Sequence, residues 1–255
     1  MNHLSRFSIL GALCALSATA FGAPINQDFE LNPPAPPPVV VPGWQILGNV
    51  KTTGPATVIT YNGPQDVLPF QKRMAQLVSN DGQDHGASTG DYNPPPNAAT
   101  LDTFFGLSAG TLATSYQAYN GSGIKQTFAG SAGDVLKQRW NFFSTEDPDP
   151  VYGLNDTAFA VITGPGIVNP LIMFLEDSLG VGNSGTSGWR TFSYNLPADG
   201  DYTIGFGVVN GVDYKFDAEL FLDDFRGVPE PASLALLGLG LACLGGLRRK
   251  KPGRL

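Results

Sequence analysis

The chain has 255 residues, including 32 Gly and 21 Pro, and only 15% of its residues are charged. Many turn formers and few charges favour a domain of short strands joined by loops over a helical bundle. The formal net charge is −7, and the segment 23–227 holds nine basic and 21 acidic residues, about −12. Because phosphate binding needs a basic surface, this balance argues against a nucleic-acid partner.

The first 22 residues, Met1–Gly22, have the organisation of a secretory signal peptide. Arg6 supplies a positive charge, Phe7–Leu16 forms an apolar run, and small residues follow at Ala18–Ala20. This order is typical of an export signal that is removed from the mature protein. We therefore predict a signal helix here and export through the inner membrane.

The segment after the signal has almost no nucleophilic or metal-binding chemistry. Both cysteines, Cys14 and Cys243, fall in apolar terminal segments, so this segment has no disulfide and no thiolate. Its one histidine, His85, lies in a turn-like sequence where a surface position is favoured over a general base. Since a Ser-His-Asp arrangement needs an imidazole, we predict that the protein is not an enzyme.

The segment 23–227 contains many strand-length apolar or alternating runs. A proline-rich loop at Asn32–Pro42 precedes them, and Leu101–Leu107 is the one convincing short helix. Gly, Asn-Gly, Asp-Gly and Gly-Pro turns separate the runs, and no βαβ alternation is present, so we predict one all-β antiparallel β-sandwich domain. The predicted strands are Thr57–Tyr61, Ala75–Ser79, Ile124–Ala129, Val135–Phe143, Ala158–Thr163, Leu171–Leu175, Thr191–Leu196, Tyr202–Val209 and Glu219–Phe225.

The C-terminal segment 228–251 combines three features in a fixed order. Val228–Pro231 reads Val-Pro-Glu-Pro, Ala232–Leu247 is uncharged and apolar, and Arg248–Lys251 is basic. Sixteen helical residues reach roughly 24 Å, a little short of a ~30 Å hydrocarbon core. Basic residues stay on the cytoplasmic side, so we predict a C-terminal transmembrane helix with the domain outside.

This order of motif, apolar run and basic cluster resembles the PEP-CTERM sorting signal of Gram-negative bacteria that make extracellular polysaccharide. The resemblance implies that an exosortase in the inner membrane recognises Pro229, Glu230 and Pro231 and processes the tail near them. It also implies that the membrane anchor is transient, and that the domain continues to the cell surface or the exopolysaccharide matrix. An uncleaved single-pass protein remains the alternative.

The domain itself resembles the jelly-roll ectodomains that often carry this tail, and carbohydrate-binding modules of galactose-binding-like fold. The segments that carry the resemblance are Asp28–Glu30, Leu77–Gly82, Gly121–Phe128, Trp140–Phe142, Gly188–Trp189 and Leu220–Phe225. In such modules an acidic residue of the first strand and one of the last commonly share a structural calcium ion. The resemblance implies Glu30 and Asp224 as these ligands.

Two further features are candidates for ligand binding. Glu146–Asp149 and Asn155–Asp156 offer several hard oxygen atoms for a second calcium site, and solvated loop acids are the alternative that the sequence favours. Trp44 and Trp189 lie beside glycines, where an exposed indole can stack on a sugar ring, with core packing as the alternative. Trp140 sits among strand-like apolar residues and is predicted to be core.

We therefore expect an exported, non-enzymatic surface or matrix protein associated with exopolysaccharide. The alternative is a calcium-dependent carbohydrate-binding module or a carbohydrate-active enzyme. Glycoside hydrolysis needs two convergent carboxylates. The adjacent pairs Glu176-Asp177 and Asp223-Asp224 do not supply them automatically, because neighbours on one strand point to opposite faces.

Overall fold

The computed structural model describes residues 25–31, 41–79, 96–212 and 216–228. The predicted signal helix and transmembrane helix lie outside these residues. None of the helices in the described part of the chain has the length and apolar character to cross a membrane. The described elements are β1 (Gln45–Leu47), β2 (Asn49–Thr53), β3 (Ala56–Thr60), β4 (Gly63–Val67), β5 (Met74–Val78), α1 (Ala98–Phe105), α2 (Thr111–Tyr116), β6 (Ala118–Gly130), β7 (Val135–Ser144), β8 (Thr157–Thr163), β9 (Leu171–Asp177), α3 (Ser178–Val181), β10 (Arg190–Asn195), β11 (Gly200–Gly211) and β12 (Ala218–Val228).

The strands form two five-stranded antiparallel sheets and one hairpin. The first sheet has the order β1-β6-β11-β8-β9, the second has the order β10-β7-β12-β5-β2, and β3 pairs only with β4. All nine strands predicted from the sequence are present, and α1 overlaps the predicted helix. The prediction of an all-β antiparallel sandwich is confirmed.

The core lies between the inner faces of the two sheets and is rich in aromatic rings. Alternation on β11 turns Ile204, Phe206 and Val208 inward, where all three are fully buried. Leu220 on β12 pairs with Phe142 on β7, and both side chains are also fully buried. Period-2 alternation therefore supplies one continuous core from both sheets, as expected for strands with one face inside a sandwich.

Two short helices cover the outer face of the first sheet. Asn97 caps α1 by accepting a hydrogen bond from the backbone N–H of Thr100 at 2.9 Å. The buried carboxylate of Asp102 then accepts from the N–H groups of Gly110 (2.7 Å) and Leu112 (3.0 Å), which fixes α2 against α1. Apolar side chains from α1, α2 and the sheet meet beneath this cover: Leu101, Phe105, Leu112, Phe159, Val161 and Val209.

The β3–β4 hairpin covers part of the outer face of the second sheet. Its apolar side packs into a group that we call the hairpin cluster, formed by Val58, Val67, Met74, Phe143 and Phe221. Among the described strands the hairpin has no other sheet partner, and an isolated two-stranded hairpin is marginal in water. Burial of Val58 and Val67 in this cluster therefore holds the hairpin in place.

Beyond the hairpin, the outer face of the second sheet holds a partly buried carboxylate. Glu219 Oε2 accepts a hydrogen bond from Gln76 Nε2 at 2.5 Å. Burial raises the pKa of Glu219 above its usual value, while the Gln76 hydrogen bond and the charge of Lys51 oppose this shift. The folded protein therefore holds this proton more tightly than the unfolded chain does.

Adding a methyl group at Gly207 should destabilise the fold. A Cβ there would lie 2.5 Å from Cζ of the Phe159 ring, which is buried against α1 and the sheet. We expect Gly207→Ala to lower the free energy of unfolding by about 1–3 kcal/mol, because an overpacked core must shift its side chains. Chemical denaturation measures this, with Gly54→Ala as the control, since its added Cβ would meet nothing closer than 3.6 Å. Equal losses in both variants would contradict the packing account.

Replacing Glu219 should change how stability depends on pH. The pKa of Glu219 is higher in the folded protein than in the unfolded chain. Its protonated carboxyl group therefore stabilises the fold below the unfolded-state pKa, and this stabilisation is lost as the pH rises through the folded-state pKa. We expect Glu219→Gln to gain stability relative to the natural protein as pH rises from 4 to 7. Thermal unfolding measured between pH 4 and 7 gives the stability of each variant. Asp201→Asn is the control, because it removes one negative charge elsewhere in the domain. Parallel curves for the Glu219 variant and the natural protein would contradict the prediction.

Candidate functional site

Trp44, predicted from the sequence as a ligand-stacking residue, lies in the core. Its ring stacks on Phe29 at 5.5 Å between centroids and meets the edge of Phe225 at 5.7 Å. Its Nε1 donates to the backbone oxygen of Asn26 at 3.2 Å, and only 7% of the residue is exposed. No broad ring face is open to a sugar, so this placement favours the packing alternative.

Trp189 is half-buried beside the hairpin cluster. The guanidinium carbon of Arg139 lies 5.2 Å from its ring centroid and 5.5 Å from that of Phe70. The indole Nε1 is buried and has no hydrogen-bond partner within the described structure. One face of Trp189 therefore already holds a protein cation, which is a favourable contact in its own right.

The two ends of the domain meet where the calcium ligands were predicted. Phe225 N–H donates to the backbone oxygen of Gln27 at 2.8 Å, and Asp224 adopts a left-handed backbone (φ 54°) in an irregular part of β12. Glu30 Oε1 accepts from the N–H groups of Lys72 (2.6 Å) and Arg73 (2.7 Å). A cation bound at this oxygen would have to displace those two donors.

The second group of predicted calcium ligands is also engaged within the protein. Ser144 Oγ donates to Asp156 at 3.4 Å and accepts from the N–H of Glu146 at 3.0 Å. Asp149 accepts from the N–H of Val151 at 2.8 Å, which closes a turn. Across the described ranges, no three His, Cys, Asp or Glu side chains form a group that could hold a metal. Calcium binding stays a prediction.

Asp223 is the described carboxyl group with the clearest change in pKa. Burial raises its pKa to about 6, although the N–H groups of Phe70 and Asp224 both donate to it. The residue is 1% exposed. Its carboxyl group ties the loop of Phe70 to β12 and is not open to a substrate, so the raised pKa does not make it an acid–base candidate.

An open polar groove lies between the tip of the β3–β4 hairpin and the loop after α3. It encloses about 560 Å³. Tyr61 occupies the hairpin turn with 80% of its surface exposed, and its N–H donates to the backbone oxygen of Ser184 at 3.0 Å. We call this site the tyrosine groove; it is lined by Thr60, Tyr61, Asn62, Gln65, Val181, Asn183, Ser184, Gly185 and Thr186.

The described residues that line the tyrosine groove are uncharged and rich in hydrogen-bonding groups. Three amide side chains, Asn62, Gln65 and Asn183, reach into it without a hydrogen-bond partner elsewhere in the described structure. Each amide offers a carbonyl acceptor and an NH₂ donor. The groove therefore combines an exposed aromatic ring with neutral donors and acceptors.

Tyr61 is not among the site residues predicted from the sequence, where it ends the predicted strand Thr57–Tyr61. The available signal was Asn62-Gly63, a dipeptide typical of hairpin turns, flanked by alternating residues. That signal predicts a turn, but the exposure of Tyr61 depends on where the hairpin docks. The contact with Ser184 joins residues that are far apart in the chain.

Several solved structures are similar to the described domain. TmCBM61 in complex with β-1,4-galactotriose is 14% identical, with 79% of this chain and 94% of that chain covered and a TM-score of 0.38. The K1 cleaved adhesin domain of Lys-gingipain from Porphyromonas gingivalis W83 is 14% identical, with 79% and 96% covered and a TM-score of 0.35. A structure described under CBM4 structure and function is 11% identical, with 80% and 98% covered and a TM-score of 0.33. No curated protein matches the chain.

The C-terminal tail matches a known family of sorting motifs. The family model of the PEP-CTERM protein-sorting motif matches residues 227–250. Pro229, Glu230 and Pro231 fall inside this match and outside the described residues. The order of motif, apolar run and basic cluster seen in the sequence is thus that of this family. The chain carries a PEP-CTERM sorting motif, which indicates an exported, exosortase-sorted protein, and its described part is an antiparallel β-sandwich.

Proposed function

We propose that this is a non-enzymatic protein of the surface or extracellular matrix of a Gram-negative bacterium, and that it binds neutral exopolysaccharide through the tyrosine groove. Exosortase processes the tail after a transient stay in the inner membrane, and the sandwich domain is the delivered part. The exposed Tyr61 ring in an uncharged polar groove is the observation that carries the proposal.

Tyr61 supplies the apolar part of the proposed contact. A tyrosine ring combines a large flat apolar face with a polar hydroxyl group, which suits a ligand that is apolar on one face and polar at its edge. Sugar rings have this character, because their C–H groups and hydroxyl groups point in different directions. The hydrogen bond from Tyr61 N–H to Ser184 fixes the turn, so little backbone freedom is lost on binding.

The charge distribution favours a neutral polymer. None of the described residues that line the tyrosine groove is charged, and the segment 23–227 is strongly acidic. An anionic polysaccharide would be repelled by this net charge and would meet no cation in the groove. The amides of Asn62, Gln65 and Asn183 can instead donate to and accept from sugar hydroxyl groups.

Removing the Tyr61 ring should abolish most glycan binding. We expect Tyr61→Ala to weaken binding of the exported protein to neutral exopolysaccharide at least tenfold, because the stacked face is lost. Tyr61→Phe keeps the ring and should retain most of the affinity. Affinity electrophoresis in gels containing the purified polysaccharide measures the effect.

The matched control is Tyr119→Ala, which removes an exposed tyrosine on β6, away from the tyrosine groove. Binding should be unchanged in this variant. Equal binding by the natural protein and Tyr61→Ala would contradict the proposal. Binding lost on chelation would favour the calcium-dependent module, and shortened polysaccharide chains would favour the enzyme.

Processing of the tail gives a separate prediction. We expect the protein isolated from its producing bacterium to lack the apolar run Ala232–Leu247, because exosortase acts near Pro229–Pro231. Deleting the exosortase gene should leave the tail in place and keep the protein in the membrane fraction. Mass spectrometry of the intact protein measures both forms. A surface-released protein that retains Ala232–Leu247 would contradict the sorting account.

A further inference from the structure

A second cleft lies beside the tyrosine groove, between α2 and the end of β9, and encloses about 380 Å³. We call it the β9 cleft. Two aromatic side chains, Tyr116 and Phe174, contribute to its wall. Gln117, Asn155 and Asp177 add polar groups, and Leu179 of α3 closes one side.

The aromatic residues of the β9 cleft differ in exposure. Phe174 is 53% exposed on β9, the edge strand of the first sheet. Tyr116 stacks on the fully buried ring of Phe159 at 5.6 Å with an interplanar angle of 25°, and burial raises its pKa. Tyr116 therefore stays protonated at neutral pH on a fixed support, while Phe174 offers an open apolar surface.

The polar residues of the β9 cleft are already ordered. Asn155 Nδ2 donates to Asp177 Oδ2 at 2.9 Å, and Asp177 Oδ1 accepts from the N–H of Gly180 at 2.8 Å as the cap of α3. These contacts fix the short helix to the loop before β8. Asp177 is the one charged residue among the described residues of the lining, and these supply no cation for an anionic polymer.

Residues of helix α3 line both the tyrosine groove and the β9 cleft. Leu179 lines the β9 cleft and Val181 lines the tyrosine groove, only two residues further along the chain. At ~1.5 Å rise per residue, the two positions are separated by roughly 3 Å along the helix axis, and residues two apart point to nearly opposite sides of a helix, so the two sites flank α3. The ion pair between Arg190 and Glu176 at 2.5 Å links β10 to β9 next to this helix. The two sites therefore lie on either side of one short helix.

We infer that the tyrosine groove and the β9 cleft are two subsites of one extended site, in which a single neutral polysaccharide chain crosses α3 between Tyr61 and Phe174. This inference rests on the proposed function of the tyrosine groove and specifies its ligand as an internal stretch of polymer. A chain that occupies both subsites gains contacts without a second entropy cost of association, so affinity increases with chain length.

The test measures affinity against oligosaccharide length. The exported protein is titrated calorimetrically with neutral β-1,4-linked gluco-, galacto- and xylo-oligosaccharides of two to eight units. We expect affinity for at least one series to increase tenfold or more between the shortest and longest oligomers, with one oligomer bound per protein. Phe174→Ala should remove this increase and leave the shortest oligomer unaffected, whereas Tyr61→Ala should weaken all lengths.

The variants separate the two proposals. Phe174→Tyr keeps an aromatic ring and should retain the increase of affinity with oligosaccharide length. Tyr119→Ala should bind as the natural protein does. Affinity that is independent of length, or two oligomers bound per protein, would overturn the extended site and leave the tyrosine groove intact. Absence of binding to all three series would count against the proposed function itself.

Discussion

The need to cover apolar residues on the outer faces of both sheets determines where the two candidate clefts of this sandwich form. Phe159, Val161 and Val209 face outward from the first sheet, and α1 and α2 bury them. The outward side chains Phe143 and Phe221 of the second sheet are covered by the β3–β4 hairpin. Both candidate clefts form at the borders of these covers, where α3 and the loop behind it meet α2 on one side and the hairpin on the other.

The sequence was sufficient to predict the sandwich because its long strands alternate clearly. It did not predict β4, since Gly63 and Pro64 have poor strand propensity and are tolerated here only because β4 pairs with one partner. The sequence also predicted Trp44 and Trp189 as ligand contacts and did not single out Tyr61. A glycine neighbour suggests exposure, but Trp44 is buried by Phe29 and Phe225. These two residues lie near opposite ends of the domain's sequence and meet only in the folded protein.

The tail and the domain carry different kinds of information. The PEP-CTERM motif at residues 227–250 specifies export and sorting through a short linear pattern, which is readable without a fold. The function proposed for the domain depends on a surface assembled from β3–β4, α3 and the loop at Asn183–Thr186, which are adjacent only after folding. An exported domain with an open, neutral groove is consistent with residence among polysaccharide chains, where many weak contacts along a polymer are sufficient for retention.

The most direct test of the central claim maps the binding surface residue by residue. The exported protein is labelled with ¹⁵N in its producing bacterium and titrated with neutral oligosaccharides hydrolysed from that organism's exopolysaccharide. We predict backbone amide shift changes concentrated at Tyr61, Asn62 and the loop Asn183–Thr186, with smaller changes at Phe174. Shift changes confined to other surfaces, or binding with these amides unmoved, would contradict the assignment of the tyrosine groove as the glycan site.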